Sequence, residues 1–353
     1  MKKNTHKKIA FVLCVGGCIM TALVVCAALF FYELSPVDSP KHEREVRFEI
    51  PAGTSVSAIA ARLHEQQLIR SDRAFYLASR FPAVLLRSSV PVMKSGVYTL
   101  KSSMSSAQII TLFDSGKQEY IKAVIPEGLT LRKIAQLLDS EGVCAAEDFV
   151  VAAKNPTLLE EYGVPFESFE GFLFPDTYFF TPSMSAESVL KIMLDNFFAK
   201  IAEIPYFQQK TVADFYETLV LASIVEREYR VASEAPLIAS VFANRIAVGA
   251  GLYSCATIEY IITEIQGKEH PDVITYDDLK IDSPYNTYKW AALPPSPISN
   301  PGLVALNAAA NPPKTNYFYF TLTDSDVGSH TFSESFNAHV KAGTQFKTKK
   351  VGK

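Results

Sequence analysis

The apolar positions along the chain fall into three kinds of pattern. The first is continuous: residues 9–32 run for 24 positions without a charge, preceded by Lys2, Lys3, Lys7 and Lys8 and followed by Glu33 and Asp38. Such a run spans a hydrocarbon core of about 30 Å as a helix, and lysines on the leading flank leave the short tail inside and the body outside. A cleaved signal peptide is the competing reading, but the run is long for one and no small-x-small site follows it. Val15-Gly16-Gly17-Cys18 faintly suggests a lipoprotein site, with only about nine apolar residues before it. Residues 33–44, with two prolines, read as a tether that lifts the body off the membrane.

The second pattern is a repeat. FEIPAGTSVSAIAARLHEQQLIRS (residues 48–71) aligns with AVIPEGLTLRKIAQLLDSEGVCAA (residues 123–146) at an offset of 75. Each copy has a short strand ending in Ile-Pro, a glycine two residues on, a Ser or Thr suited to cap a helix, and then helical spacing. The buried-face candidates are Ile59, Ala60 and Leu63 in one copy and Ile134, Ala135 and Leu138 in the other. SGVYTLKSSMSSAQIITLFDSGK (residues 95–117) repeats the strand–helix rhythm more loosely. Plain scaffolding accounts for such units; a small LysM-like glycan-binding module, which also sets short strands beside two helices, is the sharper reading.

The third pattern lies in the second half. TVADFYETLVLASIVEREYR (residues 211–230) has no glycine or proline, and residues 219–225 are apolar except for Ser223, which predicts a helix running through a core. It emerges at Glu226-Arg227-Glu228. A carboxyl at the end of a buried helix is desolvated and retains its proton to higher pH, as the general acid of glycosidic bond cleavage requires. Glu226 and Glu228 stand about 200° apart around a helix, so one substrate meets one of them. Glu226 shares a face with Ser223 and Arg230, and Glu228 is expected to face solvent. The plain alternative is that both glutamates only solubilise a helix end.

Three segments add candidate binding groups. FESFEGFLFPDTYFFTP (residues 166–182) sets aromatic residues around Glu170, Asp176 and Tyr178. SPYNTYKWAALPPSPISNPG (residues 283–302) carries Tyr285, Asn286 and Tyr288 ahead of a proline-rich stretch that forbids regular structure and suits a binding wall. YFYFTLTDSDVGSHTF (residues 317–332) reads as a β-hairpin with His330 on the returning strand.

Charge and composition narrow the classes. Hydrophobic residues make up 48% and charged residues 20%, which is a folding composition. Setting the four leading lysines aside leaves 30 basic residues against 37 acidic ones, an unsuitable balance for nucleic acid. Cys14, Cys18 and Cys26 lie in the apolar run; Cys144 and Cys255 are the only body cysteines, and the six histidines show no HExxH. No metal and no cofactor is expected.

Seven segments together resemble the YceG-like (MltG-type) family of endolytic murein transglycosylases: EGFLFPDTY, LASIVEREYR, VFANRI, SPYNTY, LPPSPISNPG, YFYF and SHTF, in the family's order, across residues 48–341. The resemblance implies a single membrane anchor, a LysM-like subdomain, and cleavage of the MurNAc-β-1,4-GlcNAc bond of peptidoglycan glycan strands without water. One glutamic acid protonates the leaving oxygen and then deprotonates the MurNAc C6 hydroxyl, which closes on C1 to leave a 1,6-anhydro end. That acid carries over to Glu226, and Ser223, Asn244, Arg245, Ser254, Thr257, Tyr285, Asn286, Tyr288, His330, Glu170, Asp176 and Tyr178 become candidate substrate-binding residues. Where many members have a Leu-Gln-Ser-Asp-Pro-Thr run, this chain has Leu252-Tyr253-Ser254-Cys255-Ala256-Thr257.

The expected architecture is α+β: a tail (residues 1–8), a transmembrane helix (9–32), a linker (33–44), a LysM-like α/β subdomain (45–155), a larger mixed α/β catalytic domain (156–345) and a C-terminal tail (346–353). The expected setting is the bacterial cytoplasmic membrane, single-pass, with the body outside, acting on nascent strands near peptidoglycan synthases. Two alternatives carry different chemistry: a non-catalytic murein-binding scaffold, and a hydrolase pairing Glu226 with Asp176 or Glu259.

Overall fold

A computed structural model describes residues 2–85, 88–182, 184–209 and 211–351; Met1 of the expected N-terminal tail and residues 352–353 of the C-terminal one lie outside them. The chain divides into two compact units, Met1–Tyr120 and Ile121–Lys353. The two copies of the repeat therefore fall in different units.

The first unit comprises α1 (Lys2–Glu33), β1 (Glu45–Ile50), α2 (Val56–Glu65), α3 (Asp72–Arg80), β2 (Gly96–Lys101) and α4 (Ser106–Ser115). Within α1, Val15–Glu33 is long and apolar enough to cross a membrane, and none of it is buried. β1 and β2 pair antiparallel, with Phe48 opposite Tyr98. Their inner faces close with Ile59, Leu63, Phe75, Ile109 and Phe113 over one core. The segment 33–44 is not a free tether. The Arg70 guanidinium donates to the Pro36 carbonyl (2.7 Å) and the Val37 carbonyl (3.1 Å), and Ser106 N–H donates to the Leu34 carbonyl (3.0 Å). Leu34 is itself in the core. One arginine's fork of donors satisfies carbonyls that a disordered linker would leave to water.

The second unit runs β3 (Ile121–Val124), α5 (Leu131–Ser140), α6 (Ala146–Ala152), α7 (Pro156–Glu161), β4 (Thr177–Phe180), α8 (Ala186–Ala202), α9 (Val212–Glu228), α10 (Ala235–Ala247), α11 (Cys255–Tyr260), α12 (Leu303–Ala310), β5 (Tyr319–Asp324), β6 (Ser329–Ser333) and α13 (Phe336–Val351). β3 pairs antiparallel with β4, and the expected hairpin forms as β5–β6. α9 starts at a capping box made by Thr211 and Asp214, and residues Thr218 to Val225 are all buried. It packs on α10 and α12, so the helix read as a core helix is one.

The repeat is structural as well as sequential. Gly53 and Gly128 both adopt positive φ (+76° and +74°), and Ser55 and Thr130 both cap the following helix by accepting an N–H three residues on. Ile59, Ala60 and Leu63, and Ile134, Ala135 and Leu138, are all buried. Leu68 N–H and Val143 N–H close the helix ends on Leu63 and Leu138 carbonyls, both at 2.9 Å. The left-handed residue just before them is Gln67 (φ +55°) in the first copy and Gly142 (φ +72°) in the second.

Candidate active site

Glu226 sits in the last turn of α9, where the helix leaves the core. Its carboxylate Oε2 accepts the Gly302 N–H at 2.9 Å, and burial pushes the carboxyl up to about 7. The Gly302 and Tyr229 hydrogen bonds and the charge of Arg227 act against that rise, whereas the negative charge of Glu127 adds to it. Glu127 and Gly128 form the turn between β3 and α5. Gly128 lies close enough to Glu226 that a Cβ there would stand 3.4 Å from Glu226 Cγ, in a left-handed conformation that favours glycine. Arg227 donates to the Gly128 carbonyl (3.2 Å) and to Glu259 Oε2 (2.8 Å), tying the end of α9 to this turn and to α11.

Two loops meet at Glu226 because a buried polar network holds them together. Asn300 accepts Gly171 N–H (2.9 Å) and Leu173 N–H (2.8 Å) on Oδ1. Its Nδ2 donates to the Leu129 carbonyl (3.0 Å) and to Glu170 Oε1 (2.9 Å), while its own carbonyl accepts Gly128 N–H. Glu170, pushed up to about 8 by burial, accepts Leu131 N–H at 2.9 Å. Ser223 fastens the same loop from inside α9: its Oγ accepts Ile298 N–H (3.0 Å), and its carbonyl accepts Ser299 Oγ (2.9 Å). Satisfied networks of this kind fix geometry, because breaking one bond leaves a desolvated partner.

The candidate binding residues are not one cluster. Ser223 and Glu170 are buried props beneath the Glu226 loops, with their polar atoms engaged. A separate cavity of about 510 Å³ is lined by Glu170, Tyr285, Tyr260, Arg132 and Lys154; Glu226 is not in its wall. Asp176 immediately precedes β4 and Tyr178 lies within it, and Asn196 donates to both at 3.1 Å. Asn244 donates to the Thr315 and Tyr317 carbonyls, both at 2.9 Å, and the buried Arg245 donates to the Phe318 (2.7 Å) and Leu252 carbonyls. Asn286 is fully buried and donates to the Leu279 (3.0 Å) and Ile281 (2.8 Å) carbonyls.

A second grouping surrounds Glu228, which is part-buried and does not face solvent as its register suggests. It accepts the Ser254 hydroxyl, and burial raises its carboxyl. Thr257 and Thr287 share a hydrogen bond (2.9 Å) behind Ser254, Tyr288 touches Cys255 Sγ (3.0 Å), and His330 pairs with Glu234 (2.8 Å). Within the 252–257 segment Tyr253 takes a left-handed φ of +53°, with its ring against Tyr288. Cys144 and Cys255 are both free thiols. Among the described residues no group of three or more His, Cys, Asp or Glu is placed to hold a metal ion.

Residue-by-residue reading missed Glu127, Gly128, Tyr229, Asn300 and Gly302. The last two stand in the proline-rich loop singled out as a binding wall. Glu127 had a signal in the repeat, since the first copy carries Ala52 at the matching position.

The profile of the YceG-like family matches residues 48–345. A Bacillus subtilis protein named endolytic murein transglycosylase is 30% identical over 329 residues, covering 89% of this chain and 88% of its own. A Streptococcus pneumoniae protein of the same name, from strain D39, is 30% identical over 339 residues; they cover 86% of this chain and 59% of that longer one. Among solved structures, a YceG-like protein of Listeria monocytogenes is 31% identical, covers 85% of this chain and 99% of its own, and superposes with a TM-score of 0.56. On the match over residues 48–345 and these relatives, the chain belongs to the YceG-like family.

Proposed function

We propose that this protein is an endolytic murein transglycosylase that cuts the MurNAc-β-1,4-GlcNAc bond of glycan strands and leaves 1,6-anhydroMurNAc ends, with Glu226 as its acid and then its base. The observation that carries this reading is the placement of Glu226: a carboxyl at the exit of a core helix, pushed up to about 7 by burial and held by one backbone N–H. A carboxyl of that kind is partly protonated near neutrality, so it delivers a proton to the leaving GlcNAc oxygen as the bond from C1 breaks. The resulting carboxylate accepts the proton of the MurNAc C6 hydroxyl as that oxygen bonds to C1. The catalyst ends protonated as it began, and no water is consumed. The internal hydroxyl is already tethered to the reacting sugar, which supplies the proximity that a hydrolase obtains from a second carboxylate and a bound water.

Val15–Glu33 serves in this reading as a single-pass anchor, with the body on the outer side of the cytoplasmic membrane. The strand–helix module of the first unit is the LysM-like part and contacts glycan. Cutting nascent strands beside peptidoglycan synthases would end their growth. The two carboxylates weighed as hydrolase partners are otherwise occupied: Glu259 pairs with Arg227, and Asp176 is bonded to Asn196. Mass spectrometry of products from uncrosslinked glycan strands tests the assignment. Wild type should give internal fragments with anhydro ends, and Glu226→Gln fewer by about a hundredfold or more; a fully active Glu226→Gln would move the acid elsewhere.

A further inference from the structure

Outside the groups already given a role, the clearest unexplained one is Glu127. It stands exposed in the turn after β3, beside Glu226, and among the described residues it makes no ion pair. Two contacts locate it. Tyr229 Oη lies 3.5 Å from Glu127 Oε2 and also hydrogen-bonds Glu226. Gly302, whose N–H is bonded to Glu226, leaves room for the Glu127 carboxyl: a Cβ on Gly302 would fall 1.9 Å from Glu127 Oε1 and 2.4 Å from its Cδ.

The repeat supplies an internal comparison. Pro51-Ala52-Gly53 makes the same left-handed turn into the same capped helix as Pro126-Glu127-Gly128. Ala52 suffices there, so the turn does not require a carboxylate. The remaining charges around Glu226 are accounted for. Arg227, from the same helix end, is neutralised by Glu259, which His270 also approaches at 3.5 Å, and Gly302 contributes only its N–H. Tyr229 has one hydroxyl proton to share between two carboxyl groups. Glu127 is thus the uncompensated negative charge at the site.

We propose that Glu127 is a positioning residue of this site: seated over Gly302 and linked through Tyr229, its negative charge holds the proton on Glu226 until the leaving oxygen takes it. The proposal rests on Glu226 being the acid, and it acts entirely through Glu226. A like charge close by disfavours ionisation of its neighbour, and solvent at the exposed Glu127 limits the effect to a modest one.

The test uses the full chain in detergent micelles, as wild type, Glu127→Gln, Glu127→Asp and Gly302→Ala. Gly302 has φ −86°, so alanine is tolerated by the backbone while its methyl evicts the Glu127 carboxyl. Carbon-13 NMR of the glutamate carboxyls follows the ionisation of Glu226, its signal identified by its loss in Glu226→Gln. The rate of anhydro-end formation is measured across the same pH range. In Glu127→Gln and Gly302→Ala the Glu226 midpoint and the alkaline limb of the rate should both move to lower pH, by roughly one pH unit. Glu127→Asp should stay near wild type. An unmoved Glu226 midpoint in Glu127→Gln overturns the proposal, whether the rate is unchanged or falls equally at every pH. If the midpoint moves but wild type forms no anhydro ends, the electrostatic role stands and the transglycosylase reading alone fails.

Discussion

The proton on Glu226 is held by burial against a hydrogen bond and a nearby arginine that favour the ionised form. Two expectations follow at the residue scale. Glu226→Gln should cut the rate by about a hundredfold to ten-thousandfold, the range of a lost acid–base catalyst. By thermal unfolding the same variant should gain stability over wild type as pH rises from about 4.5 through about 7, with the full gain above that. Glu170 gives the complementary pH effect. Its carboxyl is raised from the ordinary 4.5 to about 8, so the folded state binds more protons than the unfolded one between those values. Its contribution to stability is complete below about 4.5 and is lost as pH rises through about 8. Glu170→Gln should flatten the decline of the unfolding temperature across that window while keeping the bonds to Leu131 and Asn300. An unchanged decline would show that Glu170 does not titrate there. The burial of the Glu226 carboxyl was legible from its place after an apolar helix, because desolvation at a helix exit is a property of local sequence. Gly302 and Asn300 were not, because their relation to Glu226 depends on a loop returning across more than seventy residues.

At the scale of elements, the repeat is the most legible feature and also the best probe of packing. Offset, strand, turn glycine, cap and buried triad all follow from short-range chemistry, so one copy's pattern explains the other's. Leu138→Ala, at a fully buried position, should cost about 2–5 kcal/mol in denaturant unfolding. The copies differ where a left-handed residue ends the helix. Gln67→Gly should stabilise the first unit by roughly 1 kcal/mol and Gly142→Ala should destabilise the second by a similar amount, since only one of the two positions already holds glycine. Equal effects of the same sign would contradict that account. The linker shows the limit of composition. Two prolines and several charges suggest a free tether, but the arginine that binds it comes from 34 residues downstream. Glu228 errs in the same way, because helical register gives its direction but not Ser254 waiting on that side.

At the scale of the whole molecule, an apolar N-terminal helix precedes a small strand–helix unit, and a larger unit places the part-buried carboxyls of Glu226 and Glu228 at the end of its core helix. The family is settled by match and by fold, while the chemistry turns on whether water enters the products. A transglycosylase closes the new end with the substrate's own C6 oxygen, whereas a hydrolase inserts one from solvent. The full chain should therefore be incubated with glycan strands in water enriched in heavy oxygen, and the new ends weighed by mass spectrometry. The account predicts anhydro ends that carry no heavy oxygen, and fewer of them by about a hundredfold or more from Glu226→Gln. Reducing ends carrying one solvent oxygen would contradict it and make the enzyme a hydrolase.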